Sequence, residues 1–126
     1  MRVLFCGDVV GRAGRAVIHE QLPRLRQRLN LDFVVVNGEN AAHGFGITPK
    51  ICQGLYDAGA DVITSGNHVW DRREIVDYID GDPRLLRPMN YAEGTPGRGA
   101  GVFDAPGGRR VLVLHPMGRL YMDPVD

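Results

Sequence analysis

The sequence has only two cysteines, no excess of charge of either sign and no long hydrophobic run, and each of these absences excludes a class of protein. Cys6 and Cys52 are too few for a disulfide framework and do not form a CxxC metal knuckle. Basic and acidic residues both number 15, so net charge gives no support to general polyanion binding. No apolar run approaches the ~20 residues that span a bilayer. The sequence therefore predicts a reduced, cytoplasmic protein that does not insert into membranes.

The length and the end of the chain bear on its domain organisation. A chain of 126 residues corresponds to about one domain. It stops at MDPVD directly after an apolar run, with neither a closing helix nor a polar tail. We therefore expect residues 1–126 to form a single, incomplete domain, the front part of a longer protein.

Short apolar runs alternate with helical patterns along the first 80 residues. The predicted buried strands are Val3–Cys6, Phe33–Val36 and Val62–Thr64. The predicted helices run from Gly14 to about Leu29, from Pro49 to the residue before Gly59, and from about Arg72 to Ile79. We expect Pro23 to kink the first of these helices.

Local signals mark the ends of the second and third helices. Thr48 has the position of an N-cap and Pro49 that of a first helical residue. Asp71 and Glu74 have the spacing of a capping box.

The pattern changes after residue 81. Residues 82–100 are rich in proline and glycine and predict an irregular surface loop. Gly101–Asp104 and Arg110–His115 then flank the turn sequence PGG and predict a β-hairpin. The predicted fold class is α/β, a parallel βαβαβα sheet covered by helices and followed by a β-hairpin.

Polar residues follow each of the three predicted strands. Asp8 follows the first, Asn37–Asn40 the second, and Asn67 and His68 the third. Because the carboxyl ends of parallel strands share one edge of a sheet, these side chains should converge on one crevice. Carboxylate, amide and imidazole groups suit Mn, Fe, Mg or Zn. Two such ions about 4 Å apart can clamp a phosphoryl group and activate a shared water.

Four motifs carry a family resemblance: GDVVGRAGR at 7–15, VVNGENAAHGFGIT at 35–48, ITSGNHVWD at 63–71 and MGR at 117–119. Together they resemble the YmdB-like bacterial branch of the calcineurin-like metallophosphoesterases. The resemblance implies the N-terminal half of an α/β sandwich. It also implies a dinuclear phosphodiesterase with a metal-bridging hydroxide as nucleophile and 2′,3′-cyclic nucleotides or related phosphodiesters as substrates.

The resemblance also implies roles for individual residues. Asp8, Glu39 and Asn40 would bind one metal ion, and Glu39 and Asn67 would bind the other. His68 would protonate the leaving oxygen. The ions would be divalent or trivalent Fe, Mn, Mg or Zn, with Fe or Mn favoured.

This chain departs from the family pattern in three places. Members are about twice as long, and their remaining histidine ligands, including a GHTH-like motif, lie in the second half. The wider superfamily opens with DxH, whereas Val10 stands at the third position here, as in the YmdB-like branch. His115 and Pro116 precede MGR where Asn-Leu is more typical. We therefore expect this chain to have little or no activity alone.

Structural interpretations compete with these functional ones. Asp8 could be a turn or helix-capping residue. Asn40 and Asn67 could serve left-handed turns. His68 could be a satisfied or exposed loop residue, whereas His43 fits a surface loop position.

Other residues are most simply structural. His19 and His115 fit structural positions on the first helix and on a strand. Arg24, Arg26 and Arg28 fit a solvated helix face better than an RNA-binding surface.

Two functional classes besides the enzyme stay open from the sequence. One is a regulatory protein that binds a nucleotide or RNA in the same crevice without turning it over. The other is an inactive fragment with an unpaired sheet edge and an uncovered apolar face. RNA and a second copy of the chain stay open as partners.

Overall fold

A computed structural model describes residues 1–120, 122 and 125, and it confirms the α/β fold with a parallel sheet and a hairpin. The sheet contains four strands in the order in which they occur along the chain. These are β1 (Val3–Cys6), β2 (Phe33–Asn37), β3 (Val62–Thr64) and β4 (Leu85–Leu86). They are connected by α1 (Gly11–Arg28), α2 (Pro49–Asp57) and α3 (Glu74–Ile79). Within the described residues, no helix is long and apolar enough to cross a bilayer.

All three helices pack against the same face of the sheet. Leu22 of α1, Leu55 of α2 and Ile75 of α3 are buried in one cluster with Val36 and Ile63 of the sheet. Successive right-handed crossovers between strands added in one direction place every helix on the same side. This layer contains most of the buried core.

The hairpin covers the opposite face. It consists of β5 (Ala100–Ala105) and β6 (Arg109–Leu114), paired antiparallel. Phe103 packs there against Phe33, at 6.1 Å between ring centroids. The hairpin leaves part of β1 uncovered, since Phe5 is 62% exposed. The predicted β-hairpin is therefore confirmed, and it covers the face of the sheet that the helices leave open.

The second helix has the predicted ends. The Thr48 hydroxyl accepts a hydrogen bond from the Ile51 amide at 3.3 Å, and Pro49 is the first helical residue. Gly59 follows the helix with φ +111°, a left-handed conformation that glycine adopts without strain. The first helix begins at Gly11, one turn before the predicted start at Gly14, and continues through Pro23.

Two predictions about the later part of the chain are wrong. The loop predicted for residues 82–100 contains β4, which is buried as the fourth strand of the sheet. The third helix begins at Glu74 rather than Arg72, and no side chain caps it, because Asp71 binds a different partner. Of the terminal MDPVD, residues 123, 124 and 126 lie outside the described part of the chain, as does residue 121.

Candidate metal centre

Backbone hydrogen bonds join the carboxyl ends of the first three strands. The Val9 amide donates to the Asn37 carbonyl at 2.9 Å, and the Gly38 amide donates to the Thr64 carbonyl at 2.9 Å. The segments that follow β1, β2 and β3 are thereby held side by side. The predicted polar clusters consequently lie at one edge of the sheet.

Asp8 and Asn40 are in direct contact across this edge. The Asn40 side-chain amide donates to Asp8 Oδ1 at 2.8 Å. Asp8 has φ +38°, a strained conformation that Asp tolerates better than most residues. Val10, not Asp8, is the N-cap of α1, and it makes no side-chain cap bond, so the capping interpretation of Asp8 is wrong.

Neither asparagine of the predicted set serves a left-handed turn. Asn40 and Asn67 are absent from the non-glycine residues with positive φ among the described residues, which are Asp8, Asn30 and His43. Asn67 is half-buried directly after Gly66, at the end of β3. The left-handed interpretation of both asparagines is therefore wrong.

The Glu39 carboxylate lies in the middle of the edge. Burial raises its pKa, the neighbouring Asp8 carboxylate raises it further, and His68 and the backbone amides of residues 67 and 68 oppose the rise. A Cβ atom at position 66 would lie 1.7 Å from Glu39 Oε2. Only glycine at position 66 therefore permits the carboxylate to occupy this place.

Two oxygen atoms at this edge are buried without a hydrogen-bond partner in the described part of the chain. They are Glu39 Oε2 and Asn40 Oδ1. An unpaired buried acceptor is costly, and a bound cation would satisfy such an oxygen atom. The oxygen donors match hard and intermediate divalent ions. The atoms present thus fit part of a metal coordination sphere.

The same edge does not contain a complete cluster of strong ligands. Among residues 1–120, 122 and 125, no three His, Cys, Asp or Glu side chains are grouped so as to hold a metal ion. Two of the four predicted ligands, Asn40 and Asn67, are amides, so only Asp8 and Glu39 of the predicted set belong to these four residue types. Any metal bound here would need additional ligands from water or from another segment.

His68 is held by a residue whose role the sequence did not reveal. Its Nδ1 atom lies 2.7 Å from Asp71 Oδ2, and the Phe45 ring packs edge-on against the imidazole at 5.2 Å between centroids. A carboxylate at Nδ1 favours the tautomer with hydrogen on that nitrogen. Nε2 is then available for proton transfer. The spacing of Asp71 and Glu74 had suggested a helix cap instead.

His115 lies closer to this edge than the sequence indicated. It follows the end of β6, and its ring faces the backbone of Ser65, directly after β3. Its Nε2 is buried without a partner in the described residues, and burial lowers the pKa of the ring. The one available signal was its unusual place before MGR. The remaining histidines, His19 and His43, lie on the helix side of the molecule.

One of the three arginines on α1 is not part of a solvated face. The Arg26 guanidinium binds both carboxylate oxygens of Asp61, at 2.8 and 3.2 Å, and donates to the Gly59 carbonyl. Arg24 is 73% exposed, as predicted for that face. Arg26 therefore links α1 to the segment that precedes β3.

Comparison with known proteins gives a consistent result. The sequence matches the family described as YmdB-like protein over residues 4–126. It is 48% identical over 126 residues to the 2′,3′-cyclic-nucleotide 2′-phosphodiesterase of Bacillus subtilis, covering all of this chain and 47% of that protein. It is 36% identical over 108 residues to a putative phosphatase/phosphodiesterase of Mycoplasma pneumoniae, covering 82% of this chain and 38% of the relative.

Solved structures show the same fold. A hypothetical protein from Thermus thermophilus superposes with a TM-score of 0.92 at 41% identity, covering all of this chain and 48% of that one. A structure titled as a novel phosphatase, from Mycoplasma pneumoniae, superposes with a TM-score of 0.82 at 34% identity. The match covers 90% of this chain and 42% of that one. The chain spans about half the length of the relatives that it matches.

Proposed function

Since the chain belongs to the YmdB-like family, we propose that it supplies half of a dinuclear, metal-dependent phosphodiesterase acting on 2′,3′-cyclic nucleotides or related phosphodiesters. One observation carries this proposal: Glu39 Oε2 and Asn40 Oδ1 are buried and unpartnered, among the described residues, at the edge where three parallel strands end. The name of the Bacillus subtilis relative supports the substrate class.

In the proposed centre, the chain contributes oxygen ligands to both ions. Asp8, Glu39 and Asn40 would hold one ion, and Glu39 and Asn67 would hold the other, with Fe or Mn favoured over Mg or Zn. When bound, the two ions would supply charge stabilisation at the phosphoryl oxygens and a water acidic enough to serve as the nucleophile near neutral pH.

The neighbouring side chains position these ligands. Because the Asn40 amide nitrogen donates to Asp8, the Asp8 carboxylate is oriented while Asn40 Oδ1 remains free to bind an ion. In its doubly protonated form His68 would donate the Nε2 proton to the leaving oxygen, while Asp71 accepts the hydrogen bond from Nδ1–H and fixes the ring. Metal binding and proton donation are thereby assigned to different side chains at the edge.

Metal binding by the 126-residue chain tests the proposal directly. Calorimetric titration with Mn²⁺ near neutral pH should show binding that Glu39→Gln weakens about tenfold or more, a loss of ~1.4 kcal/mol. Glu93→Gln is the matched control, because Glu93 is exposed in the loop after residue 90. Equal Mn²⁺ affinity of Glu39→Gln and the unmodified chain would overturn the proposed centre.

Catalysis is tested in a chimera, because this chain spans about half the length of the relatives that it matches. The chain joined to the second half of the Bacillus subtilis relative should hydrolyse bis-p-nitrophenyl phosphate and a 2′,3′-cyclic nucleotide with Mn²⁺. His68→Ala should lower its turnover about 10²-fold or more, the usual contribution of a general acid. A chimera that binds Mn²⁺ through Glu39 yet hydrolyses neither substrate would refute the proposed phosphodiesterase activity.

The competing class is a regulatory protein that binds a nucleotide or RNA without turnover. For such a protein, Glu39→Gln would leave nucleotide affinity nearly unchanged with and without Mn²⁺. The hydrogen-bonded pair of His68 and Asp71 favours the enzyme, because a passive binding site has no need of an oriented imidazole. The cytoplasm is the proposed compartment, since both cysteines are free thiols.

A further inference from the structure

A cavity of about 610 Å³ lies on the helix side of the molecule. It contains none of the residues assigned to the candidate metal centre. Its charged and titratable lining consists of Arg15, His19, His43, Lys50, Arg72 and Glu74. Residues from α1, from α2, from the loop after β2 and from the segment before α3 therefore converge on one concave surface.

The cations of this cavity are only partly offset by acids. In the described part of the chain, the ion pairs involve other residues, and none joins Arg15, Lys50 or Arg72 to a carboxylate. With both histidines neutral, three cations and Glu74 leave a formal charge of +2. Lys50 is the only lysine of the sequence. A chain whose charges cancel overall thus has a concentrated positive region here.

The two guanidinium groups are fixed by the backbone. Arg72 donates to the Ala42 carbonyl at 2.6 Å and to the Phe45 carbonyl at 3.0 Å, and Arg15 donates to the Ala41 carbonyl. These bonds orient the arginines without cancelling their charge, so their remaining N–H groups are available to an anion. Little side-chain entropy is then lost when a ligand binds.

We propose that this cavity binds a phosphate dianion carried by a small molecule, at a site separate from the candidate metal centre. Guanidinium and ammonium groups make their strongest hydrogen bonds to phosphate and carboxylate oxygens. A dianion matches the formal charge of the lining. The volume also falls within the range of cavities that hold nucleotide-sized ligands.

The test is an NMR titration of the ¹⁵N-labelled chain in EDTA at constant ionic strength. Inorganic phosphate and a nucleoside 5′-monophosphate are titrated separately. Both should shift the amides of His43, Lys50 and Arg72 and leave those of Gly66 and Asn67 in place. If the nucleoside 5′-monophosphate binds more tightly than inorganic phosphate, the ligand is a phosphate ester. Equal affinities show that the phosphate group alone is recognised.

Three variants make the result specific. Lys50→Gln should weaken binding about tenfold, the effect of losing one charge-assisted hydrogen bond. Arg110→Gln removes the same charge from the exposed surface of β6 and should leave affinity unchanged. Glu74→Gln should tighten binding, a gain that misfolding cannot produce.

Two outcomes would overturn the proposal. One is a set of shifts centred on Gly66 and Asn67 instead of the cavity. The other is equal weakening by Lys50→Gln and Arg110→Gln, which would indicate general charge attraction only. Because metal is absent throughout, these outcomes leave the Mn²⁺ titration of the candidate centre unaffected.

Discussion

Buried polar groups have different surroundings in two neighbouring regions of this molecule. In the interior such groups are paired, as where the Tyr56 hydroxyl donates to Asp82 at 2.8 Å. At the carboxyl edge of the sheet, Glu39 Oε2 and Asn40 Oδ1 are buried and have no such partner among the described residues.

The difference separates residues whose buried polar atoms are paired within the fold from residues whose buried polar atoms are not. A buried donor or acceptor without a partner costs about 1–3 kcal/mol. Paired groups in the interior do not have this free-energy cost, whereas the two unpaired oxygen atoms at the edge do. Substitutions in the interior should therefore lower the free energy of unfolding, and substitutions at the edge should leave it unchanged or raise it.

The largest effect is expected from a truncation in the interior. Leu55 is fully buried between α2 and the sheet, so Leu55→Ala should lower the free energy of unfolding by about 3 kcal/mol through lost burial and a cavity. Urea denaturation measures this change. Leu112→Ala, at a position 59% exposed on β6, is the matched control and should change it by less than ~1 kcal/mol. Equal losses would contradict the assigned core.

A smaller loss is expected when an interior hydrogen bond is removed. Tyr56→Phe keeps the ring but leaves the Asp82 carboxylate without the hydroxyl, and should lower the free energy of unfolding by about 1–2 kcal/mol. Burial and Asp82 both raise the pKa of Tyr56, so the hydroxyl stays protonated near neutral pH. An unchanged urea midpoint would show that the pairing contributes nothing.

At the edge, a substitution should raise the free energy of unfolding instead of lowering it. Burial and Asp8 raise the Glu39 pKa, so the metal-free fold disfavours the ionised carboxylate. Glu39→Gln should therefore raise the free energy of unfolding near neutral pH by up to about 1 kcal/mol. The gain should disappear in acid, below the pKa of Glu39 in the unfolded chain, because both states are then protonated. Denaturation in EDTA across this pH range measures it, and a loss of stability near neutral pH would contradict the contrast between the two regions.

The smallest effect on stability is expected at Asp71. Its side chain is 40% exposed, so Asp71→Asn should change the free energy of unfolding by less than ~0.5 kcal/mol. The same substitution should lower turnover of the chimera about tenfold or more, because His68 loses the carboxylate that sets its tautomer. Full turnover of the Asp71→Asn chimera would show that Asp71 does not position His68 for catalysis.

The sequence predicted those elements whose local signals agree with their packing. Apolar runs identified β1, β2 and β3, and the cap at Thr48 with Pro49 identified the start of α2. It missed β4, because two leucines within a segment rich in proline and glycine have no periodicity to detect. Their burial depends on pairing with β3, which is a contact distant in sequence.

The candidate site was predicted as a set of positions, and its contacts were not. The alternation of strands and helices was sufficient to place residues 8, 39, 40, 67 and 68 at one edge, because parallel strands share their carboxyl ends. The pairing of Asp71 with His68 was missed, since the spacing of Asp71 and Glu74 fits a capping box equally well.

By itself, the sequence determined the order of the first three strands and the three helices and the polar residues that follow those strands, since both depend on local patterns of side chains. Only the tertiary structure decided that Glu39 Oε2 and Asn40 Oδ1 are buried without partners among the described residues and that Arg15, Lys50 and Arg72 face one cavity. The physical reason is that burial and charge proximity depend on segments far apart along the chain, which only packing brings together.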